Sequence, residues 1–237
     1  EAALKEYGVQ EIINQSERKQ LENGVEVTLH DGKKQKFRIQ EAMYIYAAAK
    51  REKLVGTNHL LGGGIVFQKN SHPGEATGAR QLTVEDLEAI AGKLTEKQKA
   101  FVDHMVQFLS RDTAEWGNQV TRELYGVEKF KESYYVPFKV ARNYLRTDPA
   151  SQQENRLKLG SFTKPLAQQA SNPLEVQNFV EMWAAHMEQM SDYNAFVLPI
   201  EDMTRLMNYK TDNDTVRSVM QERYGNQAPD FILSFLR

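Results

Sequence analysis

The sequence predicts a mainly α, irregular helical domain built on two long helices, at about 96–125 and 173–198, with one small β-hairpin at about 24–39. Phe101, Met105, Phe108, Asp112, Trp116, Val120 and Leu124 step by three or four residues, which places them on one face of a helix. Leu174, Val176, Phe179, Val180, Trp183, Met187, Met190, Asn194 and Val197 lay out a second such face. Between Val25 and Ile39 the apolar period changes to two, and Asp31-Gly32 interrupts it with a strong two-residue hairpin signal. Each long helix carries one tryptophan in its stripe, so the two are expected to pack on each other.

A chain of 237 residues, 41% hydrophobic and 26% charged, has the composition of an ordinary globular protein with a sizeable core. We read it as a single helical domain over 1–237, with a lead-in and hairpin at 1–40 and a basic loop at 139–165. Zero cysteines exclude disulfides, thiolate zinc sites, iron–sulfur clusters and cysteine nucleophiles, and point to a reducing compartment. Thirty basic against 32 acidic residues leave no global field for nucleic acid or anionic lipid, so any such patch must be local. No signal peptide is visible, and no apolar run approaches the roughly 20 residues of a membrane span. Because the chain opens at Glu1 and closes on the amphipathic turn Phe231 to Arg237, we expect it to be a piece of a longer polypeptide.

In order, Glu1 to Asn23 is a polar, helix-leaning lead-in that Leu4, Tyr7, Ile12 and Ile13 are expected to anchor loosely. The hairpin follows, and Lys33, Lys34, Lys36 and Arg38 on its return strand read as a charged edge rather than a phosphate patch. Gln40 to Lys53 is a helix with Ala42, Met43, Ile45, Tyr46 and Ala49 inward. Gly62 to Gly64 could admit a phosphate, yet no Gly-Lys-Ser/Thr follows, so a close backbone crossing or a flexible connection is the better reading. Thr83 with Asp86 forms a capping box for a short helix, and Thr95 caps the first long helix, which Gly126 closes. Asp112 lies in line with Phe108 and Trp116, where an unpaired carboxylate would cost several kcal/mol. It is therefore paired, solvated or functional.

Beyond Gly126, Pro137, Pro149 and Pro165 break the chain into extended pieces. Six basic residues, Lys139, Arg142, Arg146, Arg156, Lys158 and Lys164, face two acids there and alternate with Phe138, Tyr144 and Phe162, making this the best nucleic-acid candidate. The competing reading, and the favoured one, is a basic loop that lies near the acidic helix that follows or simply stays solvated, since Pro165 to Thr204 holds six acids and no Lys or Arg. Asn172-Pro173 reads as the capped start of the second long helix, which Pro199 kinks or ends; shorter helices follow at Ile200 to about Tyr209, at Asp214 to Tyr224 and from Pro229.

Spacing offers catalysis no anchor. His30, His59, His72, His104 and His186 make no two-ligand helical spacing, no Gly-x-Ser-x-Gly elbow surrounds a serine, and neither metal nor cofactor is implied. A cleft gathering Asp112, His104, Asn118 or Asp192 would signal a hydrolase-type enzyme. Asp112, Asn118, Asp192, Tyr193 and Asn194 form the candidate polar cluster, because polar groups set among aromatics must be bonded to something.

Five phrases carry a resemblance: NHLLGGGI at 58–65, EWGNQV at 115–120 closing in Leu124-Tyr125-Gly126, YYVPF at 134–138, GSFTK at 160–164 and MSDYNAFVLP at 190–199. In that order the chain resembles a domain associated with large polyvalent proteins of phages and prophages, and Arg223-Tyr224-Gly225 fits the same layout. The resemblance covers roughly 58 to 199 and supplies no catalytic residue. It implies a non-catalytic structural or interaction module, delivered with mobile-element DNA, whose partners are other domains of the same large protein or phage and host proteins. Its setting would be the bacterial cytoplasm or the virion, with nucleic acid as an alternative partner through the basic loop and no membrane.

Overall fold

The computed structural model describes residues 2–67, 78–141, 172–210, 214–229 and 231. The described residues are mainly helical and divide into two compact units, 2–114 with 131–141 and 172–187, and 115–130 with those between 188 and 231.

The first unit opens with three short helices, α1 (Ala2–Glu6), α2 (Gln10–Ile13) and α3 (Glu17–Glu22). A few apolar side chains anchor this lead-in, and neither α1 nor α2 contains a buried residue. Val9 is buried, and the Tyr7 ring meets Phe101 edge-on at 6.0 Å. The hairpin forms where predicted: β1 (Val25–Thr28) pairs antiparallel with β2 (Lys34–Phe37), Val25 opposite Phe37, and Val27 and Phe37 enter the core. Its outer charges satisfy each other, with Lys34 2.8 Å from Glu26. Asp86 fastens the turn from outside by accepting from the His30 backbone N–H at 2.7 Å and from the Thr83 N–H at 2.9 Å.

Helix α4 (Ile39–Val55) starts where the Arg38 N–H donates to Glu41 Oε2 at 2.8 Å and sends Met43, Tyr44, Ile45, Ala47 and Ala48 into the core. After it come a π turn (His59–Gly63) and the strand β3 (Ile65–Phe67). Two of the three glycines serve a close crossing: a Cβ on Gly63 would lie 2.1 Å from the Asn172 carbonyl oxygen, and one on Gly64 2.3 Å from that of Arg80. Gly64 also has φ of +74°, a conformation costly to residues with a Cβ. Helices α5 (Val84–Gly92) and α6 (Glu96–Phe108) begin at the expected caps, Thr83 and Thr95.

Two expectations need correction. The second long helix does not start at 173. Leu174–Val176 is a strand, β4, paired parallel with β3, Ile65 opposite Leu174, and a later helix, α8 (Phe179–Asn208), starts behind Asn178, whose side chain accepts from the Val180 and Glu181 N–H groups. Nor does it end at 198, since α8 runs through Pro199 and absorbs the separate helix expected from Ile200. The first long helix is interrupted by a π turn (Leu109–Thr113) before α7 (Ala114–Tyr125). A π turn takes up one extra residue, so the inward row steps from Leu109 to the buried Thr113 rather than through Asp112. Asp112 is thereby exposed, and Trp116 is 42% exposed rather than part of a buried stripe.

The long helices nevertheless meet inside each unit. In the first, Trp183 Nε1 donates to the Met105 carbonyl at 3.1 Å and its ring lies 5.9 Å from Phe108. In the second, Val120, Tyr193 and Val197 form a small core flanked by Leu124, Phe130 and Leu198. Helix α9 (Val216–Tyr224), capped by Thr215, completes the described elements of that unit.

Candidate functional site

Of the predicted polar cluster, Asn118 is the residue most fully accounted for. Its Nδ2 donates to the Phe130 carbonyl at 2.8 Å, while its Oδ1 accepts from the Lys129 and Phe130 N–H groups at 3.1 and 2.9 Å. One buried amide thus replaces three water contacts that residues 129–130 would otherwise need. Gly117 makes room for the ring so held, since a Cβ there would lie 2.5 Å from Phe130 Cε2. Tyr193 is buried on the far edge of that ring, with centroids 6.0 Å apart. Asn118 and Tyr193 are therefore joined through Phe130. Asn194 Oδ1 is buried without a hydrogen-bond partner among the described residues, whereas Asp192 is exposed.

The remaining predicted residues stand elsewhere. Asp112 is exposed on its π turn in the first unit. Lys139 is spent on Glu175, 2.7 Å away. Arg142, Arg146, Arg156, Lys158 and Lys164 lie outside the described residues.

Sequence reasoning missed a polar network in the first unit. Arg51 is buried and donates from Nε and Nη2 to the two oxygens of Glu132, while its guanidinium covers the Phe138 ring at 4.6 Å. The opposite use of that ring is His59, edge-on at 5.4 Å. Glu52 accepts from the Leu60 N–H and so holds the π turn; burial raises its carboxyl to about 6 despite these backbone donors. Asp103 gathers a second set: Lys50 Nζ at 2.7 Å, Tyr134 Oη at 2.7 Å and Tyr46 Oη at 3.3 Å. Burial, ahead of the Asp103 charge, drives the Tyr134 phenol far above its ordinary range. Burial likewise lowers His186 to about 4, which leaves it neutral at pH 7 beside Tyr135, itself raised to about 12. A signal existed: Tyr44, Ala48, Arg51 and Glu52 continue one helical face, so the inward period of α4 runs on into charged residues.

These networks hold chain segments together, although Arg51 Nη1 and Glu52 Oε2 are buried without a hydrogen-bond partner among the described residues. Among the described residues, no group of three or more His, Asp or Glu is placed to hold a metal ion, and no helix is long and apolar enough to cross a membrane. What the second unit presents outward is different. Along α8, Phe196 is 56%, Met203 39% and Leu206 53% exposed, and Tyr209 and Tyr224 are exposed as well. Large apolar side chains concentrated at a surface mark contact sites more often than they mark chemistry.

Comparisons with protein families, curated proteins and solved structures return no match for this chain.

Proposed function

We propose that the chain is a non-catalytic interaction module within a large polyvalent protein of phages or prophages, binding other domains of that protein or phage and host proteins. The observation that carries the reading is the outward row of Phe196, Met203 and Leu206 on α8 in a unit whose own core is small. Exposed apolar area of this kind is stabilised when a partner removes it from water, at roughly 25 cal/mol per Å². The polar residues argue the same way: Asn118 is consumed by backbone groups, and Asp112 and Asp192 are exposed. The ordered phrases from NHLLGGGI to MSDYNAFVLP support the phage setting.

The test is to sequence the flanking coding region and co-express each flanking segment with this chain. The reading expects at least one segment to co-purify with the wild type and to be lost with Phe196→Ser/Leu206→Ser, whose circular dichroism and melting temperature stay unchanged. It is overturned if no flanking segment or virion protein binds, or if the purified chain turns over a substrate.

A further inference from the structure

On α8, Glu188, Asp192, Phe196, Pro199, Met203 and Leu206 are all exposed, and their spacings of four, four, three, four and three keep them on one face. The upper part of that face is acidic and the lower part apolar, with Asp202 beside it. Only one cation belongs to the same stretch: Arg205 lies 3.9 Å from Asp202, at the outer limit of an ion pair, with both side chains exposed. Such a pair is readily exchanged for a better-placed one. Pro199 adds a polar feature to the apolar part. Having no N–H, it cannot meet the Ala195 carbonyl four residues earlier, and Ala195 is exposed on this same side.

Resting on the interaction reading above, we propose that this face docks a basic amphipathic helix. The partner's apolar residues cover Phe196, Met203 and Leu206, its Lys or Arg side chains pair with Glu188, Asp192 and Asp202, and one of its donors reaches the Ala195 carbonyl. Helix-on-helix docking through anchors at three- and four-residue spacing is a recurrent recognition mode, and the charge here selects its sign. Nineteen residues from Glu188 to Leu206 rise about 27 Å, which matches a partner helix of about five turns.

Three labelled 18-residue peptides test this against the full chain by fluorescence anisotropy: a leucine-faced helix flanked by lysines, its twin flanked by glutamates, and a scrambled version of the first. The lysine helix is expected to bind at least about tenfold tighter than either control at low salt, and to weaken as salt rises. Phe196→Ser or Leu206→Ser should reduce that affinity about tenfold, and Glu188→Lys/Asp192→Lys should reverse the preference between the two twins. Circular dichroism verifies that each variant is folded. Equal binding of the scrambled peptide, equal binding of the twins, or affinity indifferent to Phe196→Ser overturns the proposal. So does a concentration-dependent dimer that Phe196→Ser dissolves, because a second copy then occupies the face. If the peptides fail while a flanking segment still binds through Phe196, the basic helix is wrong and the interaction module stands; if both fail, both fall.

Discussion

Arg51 and Glu52 in the first unit are 2% and 5% exposed, whereas the second unit holds Phe196 and Leu206 in water. The first has hydrocarbon enough to enclose charge. Phe37, Tyr44, Phe101, Leu174 and Phe179 are fully buried there, and the ions that enter that interior are paired in part: Arg51 gives Nε and Nη2 to Glu132, while its Nη1 and Glu52 Oε2 have no hydrogen-bond partner among the described residues. The second has a smaller core, Val120, Tyr193 and Val197 with Met190 and Met207 also buried, and holds its 126–130 loop through the Asn118 amide and the packing of Phe130 on Tyr193. The first unit exposes large apolar side chains as well, Leu54 and Val84 among them, so the two regions differ in how much hydrocarbon they bury rather than in whether any is left outside.

The largest expected effect tests the first half of that contrast. Phe101 is fully buried between Tyr7 and Phe179, at centroid distances of 6.0 and 6.2 Å. Phe101→Ala should cost about 3–5 kcal/mol in urea denaturation. A loss under about 1 kcal/mol would mean that the first unit is not tightly packed. Next in size is Gly64→Ala, which meets the Arg80 carbonyl and a positive φ together and should cost at least about 2 kcal/mol. Tolerance of alanine there would refute the close crossing.

Asn118→Ala addresses the second unit. It leaves the Phe130 carbonyl and the Lys129 and Phe130 N–H groups without their partner and should cost about 1–3 kcal/mol. Asn118→Asp keeps the acceptor for both N–H groups but sets a carboxylate oxygen against the Phe130 carbonyl, so it should recover part of this only at acid pH, where the carboxyl is protonated and can donate. If both variants melt with the wild type, Asn118 is not the pin of that loop and a functional role for it gains ground.

Glu52 sharpens the comparison through pH. Its folded-state carboxyl, at about 6, lies above the ordinary value of 4.5, so the folded chain holds this proton more tightly than the unfolded chain. The stability linked to the protonated form is complete below the unfolded value and is lost as pH rises through about 4.5 to 6. Glu52→Gln keeps an oxygen for the Leu60 N–H and cannot ionise. From pH 4.5 to 7 the variant should gain on the order of 1 kcal/mol relative to the wild type. A difference independent of pH would show that the carboxylate is better solvated than its burial implies.

Local chemistry was legible in the sequence, and distant pairing was not. The hairpin at 25–37 and the caps at Thr83 and Thr95 depend on neighbours a few residues away, and they form where those neighbours say. β3 and β4 lie more than 100 residues apart in the chain, and three-residue strands carry too few alternations to announce a partner. Leu174-Glu175-Val176 does alternate, but Asn172-Pro173 reads equally well as a helix start, and only the pairing with Ile65–Phe67 decides between them. The π turn escaped for another reason: one extra residue leaves the composition of the stripe intact while exchanging Asp112 for Thr113 on its inner side. The buried ions of α4 escaped because charged residues read as surface until their partners, Glu132 on Arg51 and the Leu60 N–H on Glu52, are in place.

The smallest expected effect bears most on function. Phe196 projects outward and contributes little to the folded state, so Phe196→Ser should shift stability by no more than about 0.5 kcal/mol in either direction. Measured beside Phe101→Ala, it separates hydrocarbon that holds the fold from hydrocarbon held in readiness. A loss of 2 kcal/mol or so, as for a core residue, would show that Phe196 is covered within the folded chain, and the face of α8 would then have no room for a partner. Near-neutral stability with loss of binding is the pairing that only an outward contact residue produces, because a packing residue loses both together.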